Sequence, residues 1–126
     1  GGLTVPTACV TDSINNVYIC GFYTCPTTTI GTASLQRLGT QDGFVAKYTS
    51  TGTFVWAVQI GSSGSTVACR SISVDGLTQN VTVSGAYTAG STPITVYTVS
   101  GVPSGVILPT TGSYPPMPFI IQLKAN

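Results

Sequence analysis

The sequence predicts an all-β protein built from short antiparallel strands. Three observations carry that expectation. No segment keeps helical apolar spacing over three turns; short apolar runs recur between turn residues instead. Ser and Thr supply about a quarter of the chain while good helix formers are few, a bias toward strands and turns. The spacing from run to run is that of a sandwich or of propeller blades.

Taken in order, the expected strands are Thr7–Thr11, Val17–Tyr23, Gly43–Tyr48, Thr53–Ile60, Val67–Val74, Val81–Tyr87, Ile94–Val99, Val106–Leu108 and Phe119–Lys124. The pair around Thr49–Gly52 is the clearest hairpin. Phe44, Ala46 and Tyr48 alternate with Val45 and Lys47, and Phe54, Trp56, Val58 and Ile60 alternate with Val55, Ala57 and Gln59. Gly52 stands where a tight turn needs positive φ. The face carrying Phe54 and the single tryptophan, Trp56, reads as core, together with Phe44 and Phe22. The alternative for Trp56 is a platform for a ligand. Between Ala89 and Pro118 lie most of the prolines, so this stretch reads as a long loop or irregular edge strands.

The chain repeats itself. VYICGFYT (Val17–Thr24) matches VTVSGAYT (Val81–Thr88) at an offset of 64 residues, and each copy follows an Asp-led turn, DSINN from Asp12 and DGLTQN from Asp75. FVAKY (Phe44–Tyr48) has a looser partner in FIIQL (Phe119–Leu123) at an offset of 75. Two tandem antiparallel β-repeats follow, residues 1–64 and 65–126, forming one compact unit or two small sheets.

On these residues the chain resembles a known family. DGFVAKY, then GTFVWAVQIG, then an Asp-led turn and VTVSGAYT look like the SBBP repeat, named for seven-bladed β-propellers, and are similar to its copies in giant-virus proteins. The match is strong over Asp42–Thr88, fair over Val10–Thr24 and weak over Ala89–Tyr114. The resemblance implies four-stranded blades and supplies no catalytic residues. Two departures stand out. Two repeats cannot close a propeller of 4–8 blades, and the second copy stops at Lys124 before any strand equivalent to Phe54–Ile60.

That missing strand predicts an open edge along Phe119, Ile121 and Leu123. The N-terminal segment Gly1–Thr11, or the Trp strand of another copy, could fill it by β-strand addition. Composition points the same way. Charged residues are 6% of the 126, against roughly 25% in an ordinary domain. Lys47, Lys124, Arg37 and Arg70 stand against Asp12, Asp42 and Asp75, a net charge of +1. Such a surface does little to repel a copy of itself. Four scattered cations give no footprint for nucleic acid. Apolar stretches such as FVWAV fall far short of the roughly 20 residues of a helical membrane span. The chain begins at Gly1 without Met, which reads as processing or as a piece of something longer.

Four cysteines, Cys9, Cys20, Cys25 and Cys69, in a neutral Thr-rich chain suggest an oxidising compartment and disulfides. If Val10 faces Ile19 across the first turn, Cys9 lies opposite Cys20 and the two can bridge. A tighter Asn15-Asn16 turn would instead put Cys9 opposite Phe22. Cys25 and Cys69 remain for a pairing across repeats or between subunits; free buried thiols are the alternative. Asn80 heads an N-x-T sequon and is a glycosylation candidate.

Catalytic chemistry finds no footing. There is no His and no Glu, so a nucleophile lacks its base, and the three carboxylates, Asp12, Asp42 and Asp75, sit singly, each read as a turn residue. No zinc spacing is present, and one carboxylate per Asp-led turn is thin for calcium. No cofactor, no metal and no enzyme activity are therefore expected. Two function classes stay open: a structural subunit of an extracellular, cell-surface or virion-surface assembly, whose partners are copies of itself, or a fragment of a larger propeller binding glycan or protein. For the second class, Tyr23, Tyr87, Tyr97 and Tyr114 are the residues suited to stack on sugars.

Overall fold

The computed structural model describes residues 1–98 and 116–124. The described chain is all-β, with ten strands and no helix. In chain order they are β1 (Thr4–Thr11), β2 (Val17–Tyr23), β3 (Thr27–Ile30), β4 (Ala33–Gln36), β5 (Asp42–Tyr48), β6 (Phe54–Gly61), β7 (Thr66–Val74), β8 (Val81–Thr88), β9 (Thr95–Thr98) and β10 (Met117–Leu123). The expected strand Val106–Leu108 lies outside the described residues.

Two antiparallel sheets face each other. The larger has the order β1-β2-β5-β6-β9, the smaller β10-β8-β7. Tyr18, Cys20, Val45, Val58 and Ile60 of the first meet Val67, Cys69, Val83, Phe119 and Ile121 of the second in one core. Sheets stacked in this way bury alternate residues of every strand. Strand β5 is central and covered on both sides, so Asp42–Ala46 are buried without alternation.

The outer face of the larger sheet is covered in part by a small hairpin, β3–β4, absent from the expected strands. Its alternating TTTI and ASLQ segments place Ile30, Ala33 and Leu35 on Phe44, Ala46 and Ala57, forming a second apolar cluster. Gly31 takes φ +61°, and a Cβ there would lie 2.0 Å from the Phe54 ring, so the turn of this hairpin is stacked on Phe54.

The two long hairpins, β1–β2 and β7–β8, are built alike. In β1 the register shifts at Thr7, in β7 at Arg70, leaving one unpaired residue in each case. Opposite each bulge stands a glycine. A Cβ on Gly21 would lie 2.1 Å from the Val5 carbonyl oxygen, and one on Gly85 would lie 2.0 Å from that of Ala68. Each hairpin ends in a turn led by aspartate. Asp12 accepts from the amides of Ile14 (3.1 Å) and Asn16 (2.9 Å), while Asp75 accepts from those of Leu77 (2.8 Å) and Thr78 (3.1 Å). A residue of positive φ closes each, Asn15 at 67° and Gln79 at 59°. The pairs Thr4↔Tyr23 and Tyr23↔Asp42, with the parallel bridge Gln41↔Thr66, put the starts of β1 and β7 at one end of the sandwich. Both Asp-led turns therefore project from the other end. At one side the sheets are joined by Thr7, whose hydroxyl donates to the Cys69 carbonyl at 2.6 Å.

Candidate functional site

Strand β10 ends the smaller sheet. It pairs with β8 from Met117↔Tyr87 to Leu123↔Val81, and its other edge has no strand partner among the described residues. The larger sheet shows the contrast. There β5 is followed in space by β6, and β6 by β9. The side chains named from the sequence for this edge, Phe119, Ile121 and Leu123, point inward and are buried in the core. They fix β10 on the sandwich, and the outward residues are Pro118, Ile120 and Gln122. Ile120 is 73% exposed. No charged residue lies within β10, and Lys124 follows it. Among the described residues this edge is thus a run of backbone with little to discourage pairing. The segment Gly1–Thr11, expected as one means of filling it, is already engaged: β1 pairs with β2 in the larger sheet.

The Trp hairpin differs from simple alternation. Lys47 faces Trp56 and Tyr48 faces Phe54, so Val55 is left as a bulge. A bulge reverses the facing of what lies beyond it. Trp56 is half-buried against the inter-sheet core, where its ring meets Tyr18 edge-on at 6.2 Å between centroids. Phe54 packs on the opposite face, with Phe44. The single Trp face expected from the sequence is therefore split between two clusters. Phe22 is half-buried beneath the Arg70 guanidinium, 5.8 Å from its ring, and belongs to neither cluster of buried residues.

Beside the β3–β4 hairpin, the outer face of the larger sheet holds a cavity of about 190 Å³ lined by Thr4, Pro6, Ile19, Ile30, Phe44, Ala46 and Tyr48. Thr4 and Thr28 close one end through their hydroxyls, 2.6 Å apart. Arg37 stands near that mouth: its guanidinium donates to the Thr24 carbonyl, and Thr24 exchanges hydrogen bonds with Leu3. The groove escaped sequence reasoning because its far wall, Ile30, sits on the hairpin that was not expected.

The three carboxylates are consumed by structure. Asp12 also accepts from the Asn16 amide nitrogen at 2.9 Å and from the Tyr18 hydroxyl at 3.1 Å. Burial opposes its ionisation, but these donors together outweigh it and hold the carboxyl below its ordinary value. Burial and the neighbouring Asp12 push the Tyr18 hydroxyl up to about 12. Asp75 is held low by the Thr78 and Leu77 amides. Asp42, read from the sequence as a turn residue, is instead the fully buried first residue of β5. It accepts from the amides of Leu38 (2.7 Å) and Gly39 (3.0 Å) and from Gln59 Nε2 (2.6 Å). Its role is to tie the loop 37–41 to the sheet. Among the described residues, no group of three or more His, Cys, Asp or Glu is placed to hold a metal ion.

The disulfide expectation is corrected. All four cysteines are free, Cys20 and Cys69 buried, Cys25 half-buried and Cys9 exposed. The turn held by Asp12 closes on Thr11↔Val17, which sets Cys9 against Ile19 and Ala8 against Cys20. That register differs by one residue from the one required, and one residue puts Cys9 and Cys20 on opposite faces. Burial pushes the Cys20 and Cys69 thiols up.

Asn80 is half-buried at the base of its turn. Of the tyrosines suited to sugar stacking, Tyr23 and Tyr87 lie in the core, Tyr97 is 44% exposed, and Tyr114 lies outside the described residues. Among the described residues no helix is long and apolar enough to cross a membrane. Comparison with protein-family models, with curated proteins and with solved structures finds no match to the chain in any of the three.

Proposed function

We propose that this chain is a non-enzymatic structural subunit whose copies join by β-strand addition at the open edge of β10, in an extracellular, cell-surface or virion-surface assembly. The observation that carries this reading is that, among the described residues, β10 stands last in a three-stranded sheet, against the β1-β2-β5-β6 run of the other. The two halves are read as like units, in keeping with the resemblance to SBBP repeats. The matched bulges at Thr7 and Arg70, the matched glycines 21 and 85 and the matched Asp-led turns support it. On that reading the described residues of the second unit hold no counterpart of β6.

An incoming strand would satisfy the outward N–H and C=O groups of β10 and extend the apolar core past Ile121. The Trp strand β6 has both edges taken, by β5 and β9, so the strand received is β1 or β9 at a margin of the larger sheet of another copy. Such a contact is head-to-tail and propagates unless its rotation closes a ring. The low charge density of the chain leaves that approach unopposed.

Sedimentation velocity of the full chain tests this. The wild type should associate as its concentration rises. Ile120→Lys places a charge on the exposed side of the edge strand and should shift the distribution to monomer without lowering the unfolding midpoint. A monomeric wild type across the whole range would contradict the reading. The alternative, a fragment of a larger propeller, predicts an intact mass in native material well above 12.9 kDa.

A further inference from the structure

We infer that Leu77, at the tip of the β7–β8 turn, is a knob that seats in the apolar groove beside Ile30 and Phe44 of a second copy of this chain. The inference rests on the self-assembly reading and names a second contact in it.

Leu77 is 97% exposed, more than any other large apolar residue described. An exposed leucine on a floppy loop would mean little, but this one is held. Asp75 Oδ1 accepts from the Leu77 and Thr78 amides, the Gln79 amide donates to the Asp75 carbonyl at 2.8 Å, and the Asp75 amide donates to that of Asn80 at 2.9 Å. The backbone of the tip is thus already ordered, and only the rotamers of the Leu77 side chain remain to be fixed when it docks. The first Asp-led turn presents Ile14 in the same way, 62% exposed and two residues after Asp12.

The groove fits this knob in size and in chemistry. Its volume of about 190 Å³ exceeds the roughly 150 Å³ that accommodates a benzene-sized group, and its walls are predominantly apolar. Charge complementarity selects the occupant. Asp12 and Asp42 are buried, so Asp75 is the one exposed carboxylate among the described residues, and it stands two residues from Leu77. Apart from Asp75 itself, the exposed charged side chains described are cations, among them Arg37, which bonds the Thr24 carbonyl beside the Leu3–Thr4 segment that borders the groove. Knob and groove occupy different regions of one molecule, so the contact is heterologous like the edge contact. One leucine cannot hold two subunits alone. It sets the angle of a neighbour already joined at β10, and its burial is worth about a tenfold to hundredfold change in association constant.

The test uses two variants of the full chain at exposed positions, Leu77→Ser, which removes the knob, and Thr4→Trp, which fills the mouth of the groove. Thermal melts verify that both fold, and Leu77→Met serves as the conservative control. Sedimentation velocity should show assembly beginning at least tenfold higher in concentration for Leu77→Ser and for Thr4→Trp, and near the wild-type concentration for Leu77→Met. An equal mixture should form dimers at a lower concentration than either variant does alone, because one supplies the groove and the other the knob to a pair already joined at β10. Wild-type assembly by both variants would overturn the knob contact while leaving the edge contact standing. A wild type that never associates would overturn both.

Discussion

The glycines that face the two bulges give the sharpest stability prediction. In Gly85→Ala the new Cβ would lie 2.0 Å from the Ala68 carbonyl oxygen and 3.0 Å from Cys69 Cα. In Gly21→Ala it would lie 2.1 Å from the Val5 oxygen and 2.9 Å from both Pro6 Cα and the Phe44 ring. Ordinary contact begins near 3.4 Å, so each substitution needs more than 1 Å of movement in the facing strand. The obstacle is backbone, not a side chain that can swing away. Moving it disturbs the Cys69↔Gly85 or Pro6↔Gly21 pairing at the bulge, with about 1 kcal/mol per hydrogen bond lost and about 1–3 kcal/mol of overpacking. The expected cost is about 2–4 kcal/mol for each variant, a large share of a domain's usual 5–15 kcal/mol. Urea titration followed by Trp56 fluorescence reads this as a midpoint lowered by about 1–2 M at a slope of about 2 kcal/mol/M. The two losses should agree to within about 1 kcal/mol, because the same bulge meets the same oxygen in both hairpins. A midpoint unchanged in either variant would refute the account of why glycine stands there, and with it the claim that the hairpins are built alike.

Three further outcomes follow from the same contacts. Asp42→Ala removes the acceptor of the part-buried Leu38 and Gly39 amides, at about 1–3 kcal/mol each, while Gln59 keeps its bond to the Gln36 carbonyl, so stability should fall by about 2–6 kcal/mol in the same titration. Stability should also fall at both extremes of pH, measured as Tm across a pH series. Asp12 titrates low in the folded chain, so its contribution is present above the ordinary carboxyl value of about 4 and is lost as pH falls through the folded value. Cys20 and Cys69 titrate high, so theirs is present below the ordinary thiol value of about 8.5 and is lost as pH rises through the folded values. A thiol reagent should label Cys9 at once and Cys25 slowly, reaching Cys20 and Cys69 only on unfolding; a fully oxidised protein would contradict the free-thiol structure.

Much of the fold was legible in the sequence because its strands carry strong local signals. The continuous apolar run that opens Gly43–Tyr48, the alternation over Val81–Ser84, and the glycine at position 52 with φ 86° are features that chain chemistry dictates within a few residues. The hairpin β3–β4 carried such a signal too, in TTTI and ASLQ around Gly31, but its short strands were lost in a Thr-rich stretch. What stayed hidden depended on single-residue register. The bulge at Val55 sends Phe54 and Trp56 to opposite faces, and the closure Thr11↔Val17 separates Cys9 from Cys20. No composition or periodicity reports one inserted residue. The burial of Asp42 was equally hidden, since its partners Gln59, Leu38 and Gly39 come from a strand and a loop that the fold alone brings together. The candidate edge was legible as a location, because Phe119–Leu123 reads as a loose second copy of Phe44–Tyr48. Its exposed residue, Ile120, and the groove across the molecule required coordinates.

Electron cryomicroscopy of the assembled protein tests the central claim most directly. The account predicts density for an additional strand running along β10 from Phe119 to Leu123, contributed by a neighbouring copy. Particles in which that margin of β10 faces solvent, or is covered by its own chain, would contradict it.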